Sequence, residues 1–165
     1  MTKAIFAAAV MVLALVGLGA CAPAGPPFAS IAASLPPVPQ GEARVYFYRW
    51  LEPYETTAES AVMLNGAPVG VSQTGAAFYR DVEPGRYTIS VASRGLYPNQ
   101  FKTVQLAAGQ TAYVRIESLR AWCNDSGGGN TGGGGGAGCF DTFVVELIDP
   151  AVALGEMHDL WYIRG

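Results

Sequence analysis

The sequence predicts an all-β fold, an antiparallel β-sandwich of seven or eight strands with one short C-terminal helix. Three observations predict it. Runs of β-branched and aromatic residues with a period of two recur from Arg44 to Asp149. Turn signals separate these runs at short spacings. A helix start signal appears only at Asp149-Pro150, where Asp can cap and Pro can take the first helical position.

The elements follow in order. Arg44-Val45-Tyr46-Phe47-Tyr48-Arg49-Trp50 is apolar on both faces, with Val45 and Phe47 on one and Tyr46, Tyr48 and Trp50 on the other. Such a strand is expected at the centre of a sheet, covered on both sides. Ala61–Leu64 and Ala67–Val71 flank Asn65-Gly66, a hairpin turn in which both residues tolerate positive φ. Pro68 cannot donate to a ladder, which places the second arm at an edge. Ala77–Arg80 is a short strand closed by Glu83-Pro84-Gly85, where Gly is expected at positive φ.

Arg86–Ala92 alternates with Tyr87, Ile89 and Val91 inward. Phe101–Leu106 is followed by the turn Ala107-Ala108-Gly109-Gln110. Thr111–Ser118 places Ala112, Val114 and Ile116 inward and Tyr113, Arg115 and Glu117 outward. Phe140–Asp149 is the last strand, with Phe143, Val145 and Leu147 on one face. The helix is expected from Pro150 to about Asp159, packed back onto a sheet by Leu160–Ile163.

The 165 residues suit one ordinary domain. Half are apolar and only 14% are charged, which excludes disorder driven by charge repulsion for the bulk of the chain. The net charge of −3 with no basic cluster argues against a nucleic-acid partner.

The N-terminus reads as an address. Met1-Thr2-Lys3 carries one positive charge, and Ala4–Leu18 is uncharged and apolar. A short basic region, an apolar run and small residues at Leu18-Gly19-Ala20 describe a secretory signal peptide over residues 1–20. The run is short for a spanning helix. Leu18-Gly19-Ala20-Cys21 resembles the lipobox of bacterial lipoproteins. That resemblance implies cleavage before Cys21, diacylglyceryl on its sulfur, and attachment to the membrane through the N-terminal lipid. An ordinary signal peptide cut near Ala20 or Ala22, or an uncleaved anchor, are the alternatives. Ala22, in place of Asp, fits outer-membrane sorting with the domain facing the periplasm. Residues 21–41 then form a lipidated Cys and a tether, since six of residues 22–41 are Pro. Extended at ~3.1 Å per residue, the tether would reach about 60 Å.

The domain is expected over residues 42–165. The stretches Arg44–Arg49, Leu64-Asn65-Gly66 and Glu83-Pro84-Gly85-Arg86-Tyr87 resemble a family of bacterial lipoprotein domains known only as domain of unknown function twenty-eight forty-six. The similar part covers about residues 42–118. Its Pro-Gly-x-Tyr strand entry also recurs in transthyretin-like and PEGA sandwiches. The resemblance implies an envelope lipoprotein and supplies no catalytic residue. The Gly-rich insertion at 124–138 departs from the family's pattern.

Cys123 and Cys139 bracket that insertion. In an exported protein a pair left over after lipidation reads as a disulfide, with two reduced thiols as the alternative. Gly127-x-Gly129-x-x-Gly132 matches a dinucleotide fingerprint only because the tract is nearly all Gly, and no strand-then-helix context surrounds it. No cofactor and no metal site are expected. His158 is the sole His, and no G-x-S-x-G elbow lies beyond the leader. The pairs Glu52/Glu55 and Asp81/Glu83 fall in expected loops. Arg44 and Arg49 fall on opposite faces of one strand and so make no anion clamp. Tyr46, Tyr48, Trp50 and Tyr97 are candidates for an aromatic ligand surface, with core packing favoured for those on the strand.

These readings converge on a non-enzymatic, lipid-anchored protein of the bacterial envelope. Its expected role is binding or structural, with an envelope protein as partner. A small-molecule or glycan-binding module is the alternative, and a minimal carboxylate-dependent hydrolase is a weaker one.

Overall fold

The computed structural model describes residues 25–51, 57–93, 100–119 and 142–165. Nine strands are present among them: β1 Ala43–Arg49, β2 Ser60–Leu64, β3 Ala67–Ser72, β4 Ala76–Val82, β5 Gly85–Val91, β6 Phe101–Leu106, β7 Thr111–Leu119, β8 Thr142–Leu147 and the two-residue β9 Trp161–Tyr162. They form a sandwich of two sheets, ordered β8-β7-β1-β4-β9 and β3-β2-β5-β6.

The two-faced composition of β1 decides its place. All seven of its residues are buried. Val45 and Phe47 enter the inter-sheet core with Val62, Ile89, Val114, Phe143 and Val145. Tyr46 and Tyr48 enter a second cluster on the outer face, with Phe28, Ala153, Met157 and Leu160. Each such side chain contributes about 1.5–3 kcal/mol by leaving water.

The hairpin and the edge stand as the sequence predicts. Asn65 has φ 50 and Gly66 φ 81, as a two-residue turn between right-twisted strands requires. The Asn65 side chain also accepts from Thr88 N–H at 2.8 Å, tying the turn to β5. β3, with Pro68, lies at the edge of its sheet. Its Gly70 is needed for close approach, because a Cβ there would lie 2.5 Å from the buried Phe78 ring.

Several expectations are corrected. The sandwich is not wholly antiparallel: β1 pairs in parallel with β7, and β4 with β9. Gly85 is not at positive φ and already opens β5, opposite Leu106. Leu147 is 42% exposed, because β8 is an outermost strand and Leu147 its last residue. Tyr113, Arg115 and Glu117 do lie on the outer face, but half-buried, since other parts of the chain cover that face.

That cover is a third, partial layer. Helix α2, Pro150–Met157, is capped by Asp149, whose carboxylate accepts from Ala151 N–H at 2.9 Å, and it ends before Asp159. Its buried Ala153 and Met157 face Tyr48. The other part is the Pro-rich segment. Over residues 25–41 it is not a free extended tether but is docked. Helix α1, Phe28–Ile31, and a 3-10 turn, Ala32–Ser34, press Phe28 and Leu35 onto the outer cluster. Pro27 bridges Trp161 without needing an N–H, because Phe28 N–H and Tyr162 N–H supply the bonds, to Leu160 O and Pro26 O. Among the described residues no helix is long and apolar enough to cross a membrane.

Candidate functional site

Three arrangements concentrate chemistry. On the outer face, Arg44 lies opposite Asp81 in the β1–β4 register. Its Nε and Nη2 donate to the two carboxylate oxygens at 2.6 and 2.9 Å. Its Nη1 donates to Pro36 O at 2.7 Å, and its guanidinium lies 3.9 Å from the Tyr79 ring centre. Tyr46 and Tyr113 stack beside it at 5.3 Å. The hydrogen bond to Asp81 raises the Arg44 pKa further, against the opposing effect of burial, so its charge is permanent.

The second arrangement centres on Arg115. Nη2 donates to Glu146 at 2.7 Å and Nη1 to Glu156 at 3.0 Å. Glu117 stands 2.8 Å from Nε, a charge contact without hydrogen-bond alignment. Burial alone would lower the Arg115 pKa, but Glu146, Glu117 and Glu156 outweigh it and hold it above its ordinary value. Tyr48 O–H donates to the second oxygen of Glu156 at 2.5 Å. Burial first, and then this carboxylate, push the Tyr48 pKa well above the usual phenol value. One cation here gathers three carboxylates, and its bond to Glu156, with that of Tyr48, holds α2 to the sheet.

The third is a groove at the lateral edge, where β3 faces β9 and the N-terminal segment. Its volume is about 670 Å³, within the range of small-molecule sites. Pro26, Ile31, Leu35, Val71, Tyr162 and Ile163 give it an apolar lining, with Ser34, Gln73 and Arg164 as its polar groups. Burial raises the Tyr162 pKa, so its hydroxyl stays protonated. Such a lining can hold an amphiphile and offers no nucleophile–base pair.

The predicted site residues are distributed as follows. Cys21, Cys123, Cys139, Glu52, Glu55 and Tyr97 lie outside the described residues, as does the Gly-rich insertion. The strands leading to Cys123 and Cys139 are hairpin partners whose last rung is Leu119–Thr142. Asp81 is not in a loop but on β4, committed to Arg44, so it makes no carboxylate pair with exposed Glu83. Tyr46 and Tyr48 are buried, as core packing requires. His158 follows α2, exposed, 2.7 Å from Asp159. Among the described residues no three His, Cys, Asp or Glu side chains are grouped to hold a metal ion.

Arg44 and Arg49 do occupy opposite faces. Arg49 is buried at the end of the core, 1% exposed, donating to Ala58 O at 2.9 Å and Ser118 Oγ at 3.2 Å. Nothing in the sequence marks it as buried. The groove was also missed, because it exists only once residues 25–35 dock. A signal for that was present: Phe28, Ile31 and Leu35 are spaced as one helical face.

A family model described as "Protein of unknown function (DUF2846)" matches residues 39–129, more than half of the chain. Comparison with curated proteins gives no match. The matched stretch contains β1 to β7, whereas α1, α2, β9 and most of the groove lining lie outside it.

Proposed function

The chain belongs to this family of unknown function, and we propose that it is a lipid-anchored protein of the bacterial cell envelope with a non-enzymatic, binding or structural role. In this reading Cys21 carries diacylglyceryl and the domain faces the periplasm from the outer membrane. One observation carries the non-enzymatic part. The cations of the outer face, Arg44 and Arg115, are committed to Asp81 and to Glu146 and Glu156, and they hold the covering segments in place. Groups spent on structure in this way are not poised to act on a substrate. The Leu18-Gly19-Ala20-Cys21 motif supports the anchor.

The runner-up, a small-molecule module, draws support from the groove, whose apolar lining fits an amphiphile better than a glycan. The hydrolase reading is weakened, because Asp81 is engaged by Arg44.

The test is membrane fractionation of the full chain, with mass spectrometry of the mature N-terminus. Wild type should carry a lipidated Cys21, and Cys21→Ser should stay uncut or leave the membrane fraction. An unmodified mature N-terminus at another position would sink the reading.

A further inference from the structure

A lipid on Cys21 is on a short leash. Residues 25–41 are docked to the domain, so they add nothing to its reach. Gly25 sits against the Tyr162 carbonyl with no room for a Cβ, and Tyr162 N–H donates to Pro26 O at 2.8 Å. Only four peptide steps separate Cys21 from Gly25. Even fully extended, they span at most about 14 Å. That is a fraction of the reach of about 60 Å that an undocked segment would have.

The corner reached by this leash has a definite chemistry. Gly25 lines the same groove as Val71, which is 42% exposed, and Arg164. No carboxylate lines it among the described residues, although the whole chain is acidic. An apolar edge whose described lining holds Arg164 and no carboxylate is a surface that an anionic headgroup layer does not repel, and about 14 Å is less than two screening lengths of ~8 Å.

We propose that the lateral edge bearing Gly25, Val71 and Arg164 lies against the bilayer, with phospholipid headgroups as its partner. This rests on lipidation of Cys21. The domain is then held edge-on at the membrane, with β6 turned away from it.

The test uses the full-length mature lipoprotein in vesicles of phosphatidylethanolamine and phosphatidylglycerol containing a headgroup-labelled acceptor lipid. A fluorescent amino acid is placed at position 71 or, as the control, at 101. Phe101 is exposed on β6, at the far edge of the same sheet, three strand spacings or about 15 Å from β3. Energy transfer from position 71 should exceed that from 101 by about twofold or more, given that separation. A flexible Gly-Ser spacer of about ten residues between Ala24 and Gly25 should abolish the difference. Equal transfer from the two positions, or a difference that the spacer leaves unchanged, overturns the proposal while the anchor stands. Failure of the protein to co-float with vesicles overturns the anchor, and this proposal with it.

Discussion

Arg44 and Asp81 are cross-strand partners on the outer face of the larger sheet, joined by a two-pronged ion pair at 2.6 and 2.9 Å, and the same guanidinium holds the carbonyl of Pro36 at 2.7 Å. The Arg44 side chain is 4% exposed and that of Asp81 20%. One side chain thus ties β1 to β4 and pins the Pro-rich segment over the tyrosines. Asp81→Asn should cost about 2 kcal/mol or more, because it leaves a nearly buried cation without its counter-charge. Arg44→Lys should not restore the fork, since an ammonium cannot make two parallel bonds and reach Pro36 as well. Urea unfolding measures the loss. Hydrogen exchange should show residues 25–41 losing protection ahead of the core strands.

Phe28→Ala tests the docking directly. Phe28 is 3% exposed and meets Tyr46 edge-on at 6.0 Å. Its truncation should cost about 3 kcal/mol, the lower end for a buried Phe. Ala29→Ser, at a neighbouring exposed site, should be nearly silent. A free tether would make both changes silent in urea unfolding.

Alkaline pH should unfold the domain through its tyrosines. Tyr48, Tyr113 and Tyr162 all have pKa values raised mainly by burial. Their folded values stand above the unfolded value of about 10, so the unfolded chain loses these protons first. Stability from this source is fully present below about pH 10 and falls as pH rises beyond it. Tyr48→Phe should reduce the slope of unfolding free energy against pH, by up to about 1.4 kcal/mol per pH unit. An unchanged slope between pH 9.5 and 11 would contradict the assignment.

The described ladder of β7 and β8 ends at Leu119–Thr142, and the expected Cys123–Cys139 bridge lies beyond it. Cys123 follows Leu119 by four residues and Cys139 precedes Thr142 by three, and Leu119 and Thr142 are ladder partners. A bridge needs Cα atoms about 5.5 Å apart. Thiol titration of the oxidised, unfolded protein should find neither cysteine free. Changing both to Ser should cost up to about 3 kcal/mol, and shortening Gly127–Gly136 to a tight turn should leave stability unchanged or raise it. Two free thiols would refute the bridge.

Local geometry was legible along the chain. Period-two runs located the strands, and the two apolar faces of Arg44–Trp50 made β1 central. Asn65-Gly66 specified a hairpin, Pro68 an edge, and Asp149-Pro150 a helix start. Each is a property of neighbouring residues, their φ preferences and the face they present, and so is written into a short stretch of chain. Which distant strands became neighbours was not legible in any short stretch. The parallel β1–β7 and β4–β9 pairs join segments that no turn connects, and alternation is the same for either direction. Arg44 finds Asp81 thirty-seven residues away, and Arg49 its place in the core, only through those pairings. Docking of residues 25–41 was decided the same way. Proline excluded that segment from any long ladder, as its composition demanded, yet one bridge, one buried Phe and two proline carbonyls held by Arg44 suffice to fix it once the sheet exists to receive it.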